Sequence, residues 1–328
     1  MSTQTHKFYL APLRGITDNV FRAAYEKHFG QFDYIMAPFV PTVLGKYVRD
    51  HHIKDLLPNT NGNGTARLIP QIIGNDPTGF LLLCRKFADL GFLSVNWNLG
   101  CPAPLIAKKK RGCGLLPHRD IIKRFLDDVA PKLQLPLSIK TRLGLEGKDD
   151  LAALIPIFNN YPLKELIIHP RTGAQAYGGG VDIDTFEECI GVSDHTIVYN
   201  GDIVSVDTFK RLSERFPNIN RWMIGRGIVK NPNLLTDLRY HVNGADASGF
   251  DASASANGLD ASIPNDTNAI STPIKNLPAV KAFLNDLLDA LADHPSPIKV
   301  LGRMKEIWGY LGTGIDSSGG LTERIMRC

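Results

Sequence analysis

The sequence predicts a closed TIM-type (β/α)8 barrel followed by a small α-helical domain. Three observations carry that expectation. Eight short runs of β-type residues alternate with helical stretches between Phe8 and Gly225, the pattern of parallel strands joined by crossover helices. Several of these runs are continuously apolar, as strands buried on both faces are. No G-x-G-x-x-G follows the first run, which disfavours an open dinucleotide-binding sheet and leaves the barrel.

In chain order the expected strands are Phe8–Ala11, Tyr34–Ala37, Arg67–Ile72, Leu93–Asn98, Leu137–Arg142, Leu166–His169, Thr196–Tyr199 and Arg221–Gly225. Helices are expected near 18–29, 43–50, 76–90, 118–130, 149–160, 184–191 and 205–216. The helix near 76–90 opens on Asp76-Pro77, an N-cap followed by proline where its missing N–H costs nothing. These elements place a catalytic barrel at residues 1–241. Residues 242–276 change character: Asp-Ala-Ser recurs at 246, 251 and 260, and Ser, Asn, Asp, Gly and Ala dominate. A flexible low-complexity insertion is expected there. Residues 277–328 form the helical domain. Val280, Phe283, Leu284, Leu287, Leu288 and Leu291 recur at helical spacing, as do Ile298, Leu301, Met304, Ile307, Trp308 and Leu311. Such stripes are packing faces of amphipathic helices.

Composition narrows the class further. The 328 residues contain no apolar run long enough for a membrane span and no secretory leader pattern at the N-terminus; with the cysteine usage this leads to the expectation of a cytoplasmic protein, and a monomer is expected. The five cysteines are far apart and form no CxxC pair, which suggests neither a disulfide framework nor a zinc site. His51-His52 are adjacent and have no third ligand nearby, so they read as loop histidines and no metal is expected. Net charge is +4, yet Lys108–Arg124 holds seven Lys/Arg against one acid, Asp120. A charge run alone is usually a solvated helix face. Concentrated on a near-neutral chain, it also suits a polyanionic partner.

In such barrels the active site lies at the C-terminal strand ends, and here those ends are polar. The first ends in Ala11-Pro12-Leu13-Arg14-Gly15, the third carries Gln71, and the fourth ends in Asn98-Leu99-Gly100-Cys101-Pro102. The fifth carries Lys140 and Arg142, the sixth His169-Pro170-Arg171, the seventh Asn200-Gly201-Asp202 and the eighth Gly225-Arg226-Gly227. The last two fall where barrels often bind phosphate. Glycine lets backbone N–H groups approach an anion, and Arg226 adds a charge-assisted bond. Asp202 is repulsive there and is expected to cap a helix or bind a sugar hydroxyl. An inward Lys140 can stabilise a developing anion or form a Schiff base; paired with a carboxylate, it would be structural. Cys101, fixed between glycine and proline, is mostly protonated at neutral pH and can donate a proton, although a lone cysteine is more often a buried hydrophobe.

Taken together, APLRGITD, IPQIIGND, NLGCP, SIKTRLG, IIHPRT, YNGDI and MIGRG resemble, in order, the motifs of the tRNA-dihydrouridine synthase family over residues 8–232. LGRMKEIWGYL resembles, more loosely, the C-terminal helix of its bacterial DusC-like branch. The resemblance implies an FMN-binding barrel that reduces the C5=C6 bond of a uridine in the tRNA D-loop, with NADPH as reductant. Reduced FMN would give hydride to C6, and Cys101 would give a proton to C5. By motif, Ala11, Pro12, Leu13, Gln71, Lys140 and His169 would contact the flavin. Asn200, Gly201, Asp202, Gly225 and Arg226 would hold its ribityl phosphate. Asn98 would hold the base, Arg171 and Tyr177 would contact base or RNA, and Lys108, Lys109, Lys110 and Arg111 would meet tRNA phosphates. The helical domain would bind RNA. The target base would have to leave its stack.

Leu13-Arg14 and Cys113 depart from the residues usual in these motifs. Three other functions share parts of the pattern. A flavin barrel acting on a free pyrimidine lacks a use for the basic run. A Schiff-base lyase built on Lys140 leaves Cys101 and Gln71 unexplained. A barrel that only binds tRNA has no need of Cys101, Lys140 and His169 together.

Overall fold

The computed structural model describes residues 5–43, 45, 47–57, 65–243, 274, 276–292, 295–316 and 320–327. Ten strand segments, all parallel, form one sheet among these residues. They are β1 (Lys7–Leu10), β2 (Tyr34–Met36), β3 (Val40–Pro41), β4 (Leu68–Ile69), β5 (Gln71–Ile73), β6 (Val95–Leu99), β7 (Leu137–Gly144), β8 (Leu163–Thr172), β9 (Ile197–Tyr199) and β10 (Arg221–Ile224). Their order is β3-β5-β6-β7-β8-β9-β10-β1-β2-β4.

The ends of that order are joined by the chain itself. Pro70 has no N–H and interrupts one strand into β4 and β5. β4 pairs with β2 (Met36↔Ile69), while β5 pairs with β6 (Gln71↔Asn96). The sheet therefore closes, and with β2–β3 and β4–β5 each counted as one strand it has the eight strands expected from the sequence.

The helices are α1 (Asn19–Phe29), α2 (Pro77–Asp89), α3 (Pro104–Ala107), α4 (Arg119–Val129), α5 (Asp149–Phe158), α6 (Ile183–Gly191), α7 (Val206–Arg215), α8 (Arg226–Lys230), α9 (Leu234–Asn243), α10 (Leu277–Asp289), α11 (Pro297–Ile315) and α12 (Gly320–Arg327). Side chains cap several N-termini, satisfying amides that lack an intrahelical partner. Asp18 accepts from the Phe21 amide, Asp76 from Gly79, Asp182 from Thr185 and Ser205 from Thr208. The helix expected near 43–50 does not form among the described residues there. Gly45 takes a φ of +136°, which no helix tolerates, and 3-10 turns at Asp50–His52 and Lys54–Leu56 follow instead. His51 and His52 are exposed on the first of these turns. The expected insertion lies largely outside the described residues.

Strand parity sorts the side chains. Outward residues such as Trp97, Ile139, Leu166 and Ile168 pack against the helices in the main core. Inward residues form a separate cluster of Tyr9, Ala11, Met36, Ile69, Ile167, Val198 and Met223 inside the barrel. The parity that aims Ile167 inward also aims His169 and Arg171 inward one and two steps up β8, and on β7 it aims Ser138, Lys140 and Arg142 inward. The barrel is thus apolar at mid-height and polar toward the mouth.

The C-terminal helices lie directly on the barrel. On α10, Phe283 is 1% exposed, with its ring 5.5 Å from those of Phe21 and Phe29 on α1. Arg303 of α11 pairs with Asp18 at 2.5 Å, and α11 also packs on α8. No helix among the described residues is long and apolar enough to cross a membrane.

Candidate active site

A cavity of about 920 Å³, counted out to its open mouth, occupies the C-terminal end of the barrel. Its lining includes Ala11, Pro12, Leu13, Gln71, Asn98, Cys101, Lys140, His169, Tyr177, Asn200, Gly201, Asp202, Gly225 and Arg226, residues from every part of the barrel sequence. Arg171 and Lys108–Arg111 are not in the lining. Arg14, the departure from the opening motif, is in the lining, as are Phe39 and Arg142, to which the sequence gave no role.

Cys101 is held by its backbone. Asn98 Oδ1 accepts from the amides of Gly100 (3.0 Å) and Cys101 (2.9 Å). Arg142 Nε donates to Gly100 O at 3.0 Å, and the Cys113 amide donates to Cys101 O at 3.1 Å. Every peptide N–H and C=O of the Gly100–Cys101 pair thus has a partner, so the thiol is presented on a fixed loop. Gly112 permits this at a φ of +58°, where a Cβ would meet Cys101 O at 2.5 Å. Arg142 was detectable in the sequence as the second inward cation of β7, two residues after Lys140.

Asn98 belongs to a chain of buried amides. Its Nδ2 donates to Gln71 Oε1 at 2.7 Å, Gln71 Nε2 donates to Asn96 Oδ1 (2.8 Å) and Met36 Sδ (3.1 Å), and Asn96 Nδ2 donates to Ser138 Oγ at 2.9 Å. One N–H of Asn98 and one lone pair of Gln71 remain for a ligand.

Lys140 has no hydrogen-bond or ion-pair partner among the described residues, which removes the structural carboxylate pairing considered from the sequence. Burial, and then the charge of Arg142, pushes its amine down to about 7. His169 is pushed well below the usual imidazole range by burial and then by Arg142, Lys140, Arg171 and Arg226.

Asp202 caps no helix. It sits at a φ of +39° and accepts from Arg226 Nη2 at 2.7 Å and from both terminal nitrogens of Arg171. Arg171 is fully buried, so it supports Asp202 and His169 from behind and offers no surface to RNA. Tyr177 is 48% exposed at the lip, with the guanidinium groups of Arg142 and Arg226 at 5.5 and 5.1 Å from its ring. Lys108, Lys109 and Lys110 are exposed beyond α3, Arg111 is half-buried, and none of the four has an ion-pair partner among the described residues.

The lining holds four cations, Arg14, Lys140, Arg142 and Arg226, against the single carboxylate of Asp202. α8 starts beside Gly225 without a side-chain cap, and a Cβ on Gly225 would lie 3.3 Å from that of Ala11. An anionic ligand with many hydrogen-bonding atoms fits this donor set.

A parallel (β/α)8 barrel whose mouth carries a fixed thiol, an unpaired buried lysine and a neutral histidine is of the enzyme class. The sequence profile of the Dihydrouridine synthase (Dus) family matches residues 9–263, and the chain belongs to that family. It is 26% identical over 246 residues to a tRNA-dihydrouridine(16) synthase of Neisseria meningitidis (serogroup A / serotype 4A), covering 74% of this chain and 73% of the relative. It is 29% identical over 234 residues to the tRNA-dihydrouridine synthase B of Pasteurella multocida, covering 70% and 68%. Among solved structures, morphinone reductase matches with a TM-score of 0.48 at 12% identity, over 72% of this chain and 86% of that one.

Proposed function

We propose that this protein is a tRNA-dihydrouridine synthase, a flavin-dependent oxidoreductase that reduces the C5=C6 bond of a D-loop uridine with FMN as bound flavin and NADPH as reductant. The observation that carries the reading is the fixed thiol of Cys101 in the same cavity as Lys140, Arg142 and His169. When bound, the flavin supplies the hydride that adds at C6 of the base.

The chain's own residues do the rest. Cys101 donates the proton to C5. Its loop is fully hydrogen-bonded, so little positional freedom is lost when the base arrives. Negative charge that develops toward O4 during reduction meets a cavity with an excess of cations. Gly201, Gly225 and Arg226, with Asn200, would hold the flavin phosphate, and Lys140 and His169 would contact its ring system. Tyr177 offers an aromatic face for the flipped base. The exposed lysines beyond α3 contact the tRNA backbone.

The test begins with the visible spectrum of the purified protein and identification of any released chromophore. Bound FMN that NADPH bleaches and uridine-containing tRNA reoxidises, with dihydrouridine formed, supports the proposal. A colourless protein that takes up no FMN overturns it. One observation favours a second reading: an amine held near pH 7 in a cavity also suits a Schiff-base lyase. Borohydride trapping of Lys140 on a carbonyl substrate would establish that instead.

A further inference from the structure

His169 and Arg171 both point into the barrel from β8, and the bond between them fixes the chemistry of the imidazole. Arg171 Nη1 lies 3.1 Å from His169 Nε2. A guanidinium has only donors and keeps its charge inside proteins, so Nε2 must be the acceptor and its lone pair must be free of a proton. The ring's one proton is then on Nδ1.

Arg171 cannot swing away. Both its terminal nitrogens bind Asp202, and Nε and Nη2 donate to Gly179 O at 3.3 and 2.7 Å. Asp202 is held in turn by Arg226 at 2.7 Å. Arg142 and Lys140 from β7, Arg171 from its own strand and Arg226 from α8 all oppose a charge on His169; Lys140 itself titrates near 7, and the carboxylate of Asp202 is engaged by Arg171 and Arg226. A second proton on the ring would add a positive charge beside three guanidinium groups.

We propose that Arg171 is a positioning residue that locks His169 as the neutral tautomer, with an Nδ1–H donor turned to the cavity and no acidic proton to give. The ring can then hold an electron-rich ligand atom but cannot compete with Cys101 as the proton source. Only that last consequence rests on the proposed uridine reduction. The tautomer itself follows from the bond to Arg171.

The experiment is nitrogen-detected NMR of the full-length protein as purified, labelled at its nine histidines, with His169→Gln used to assign the signal. The expected ring carries a proton on Nδ1 alone and gains no second proton from about pH 8 to about pH 5, the range in which an ordinary histidine titrates. A proton on Nε2, or a doubly protonated ring within that range, overturns the proposal. Arg171→Met removes both the donor and one cation. In that variant the two tautomers are expected to mix and the ring to titrate about one pH unit higher or more. A folded Arg171→Met protein with the wild-type tautomer and titration also overturns it. Should that variant not fold, the wild-type spectrum still decides. These spectra read neither flavin nor uridine, so they stand apart from the test of activity.

Discussion

At the residue scale, chemistry and stability pull against each other inside the cavity. Cys101→Ala removes the proposed proton donor and leaves its loop bonds untouched, because those are made by the backbone. Flavin and tRNA binding are expected to persist while single-turnover reduction of the base falls by about 100-fold or more. Full turnover in that variant would remove Cys101 from the role. Lys140 is an inward-facing amine with no counter-ion among the described residues. Its amine titrates near 7 in the folded chain against 10.5 when unfolded, so its destabilising effect is full below pH 7 and fades as pH rises toward 10.5. Lys140→Met is therefore expected to raise the stability of the flavin-free protein by on the order of 1–2 kcal/mol, less than the whole shift because the cavity opens to water. The same variant is expected to lose flavin. A denaturation midpoint that drops instead would mean that Lys140 has an unrecognised partner. Imidazole sites shift stability in acid. His6 and His169 are both held below the ordinary imidazole value of 6.5, burial being the first cause in each. Below that pH the unfolded chain binds protons that the folded chain refuses, so stability falls as pH drops. Denaturant midpoints are expected to be lower at about pH 5.5 than at about pH 7.5, and His169→Gln is expected to narrow the difference.

At the element scale, the segment after Cys101 joins catalysis to recognition. α3 is only four residues long, and the exposed lysines follow it. Replacing Lys108–Arg111 by glutamines is expected to weaken tRNA binding most at low salt. The slope of log affinity against log salt should flatten by roughly 0.7–0.9 per lost phosphate contact. An unchanged slope would assign these residues to solvent. Flavin content is not expected to change, since none of the four lines the cavity. The pairing of α10 with α1 is built differently, from aromatic edges around Phe283. Phe283→Ala is expected to cost about 3–5 kcal/mol, readable as a lower unfolding temperature.

At the scale of the whole molecule, the two ends of the barrel divide the work. At the N-terminal end Tyr9 donates to Glu165 at 2.9 Å, and Arg221 donates to both at 3.0 and 2.9 Å. β1, β8 and β10 are thereby tied across the interior. Glu165 is fully buried and Arg221 is a quarter exposed, so Glu165→Ala leaves Arg221 and the Tyr9 hydroxyl without their shared acceptor and is expected to lower stability by about 1–3 kcal/mol. It lies below the apolar layer of Ile167 and Met223, away from the cavity. Turnover per folded molecule is therefore expected to stay as in the parent, and a selective loss of turnover would contradict this division.

The strand count, the outer helices apart from the one expected near 43–50, and most of the strand-end residues that line the cavity were legible in the sequence, whereas Phe39 and Arg142 were not singled out for a role and Arg171 lies behind the lining. Apolar runs, caps and glycine pairs are local signals, and a barrel brings its strand ends together whatever the loops do. The direction of Lys140, open in the sequence, is inward by the strand parity it shares with Ser138 and Arg142. What each polar group binds depended on the closed barrel. Asp202 read as a cap or sugar ligand, because nothing in the chain order shows that it meets Arg171, 31 residues away, and Arg226, 24 away. Arg171 read as a base or RNA contact, and its full burial could not be read from the chain, because burial is set by neighbours on other strands. Gly45 overrode the helix expected around it through a backbone angle that composition does not reveal. Pairing and desolvation are sums over distant residues, and they exist only once the barrel has closed.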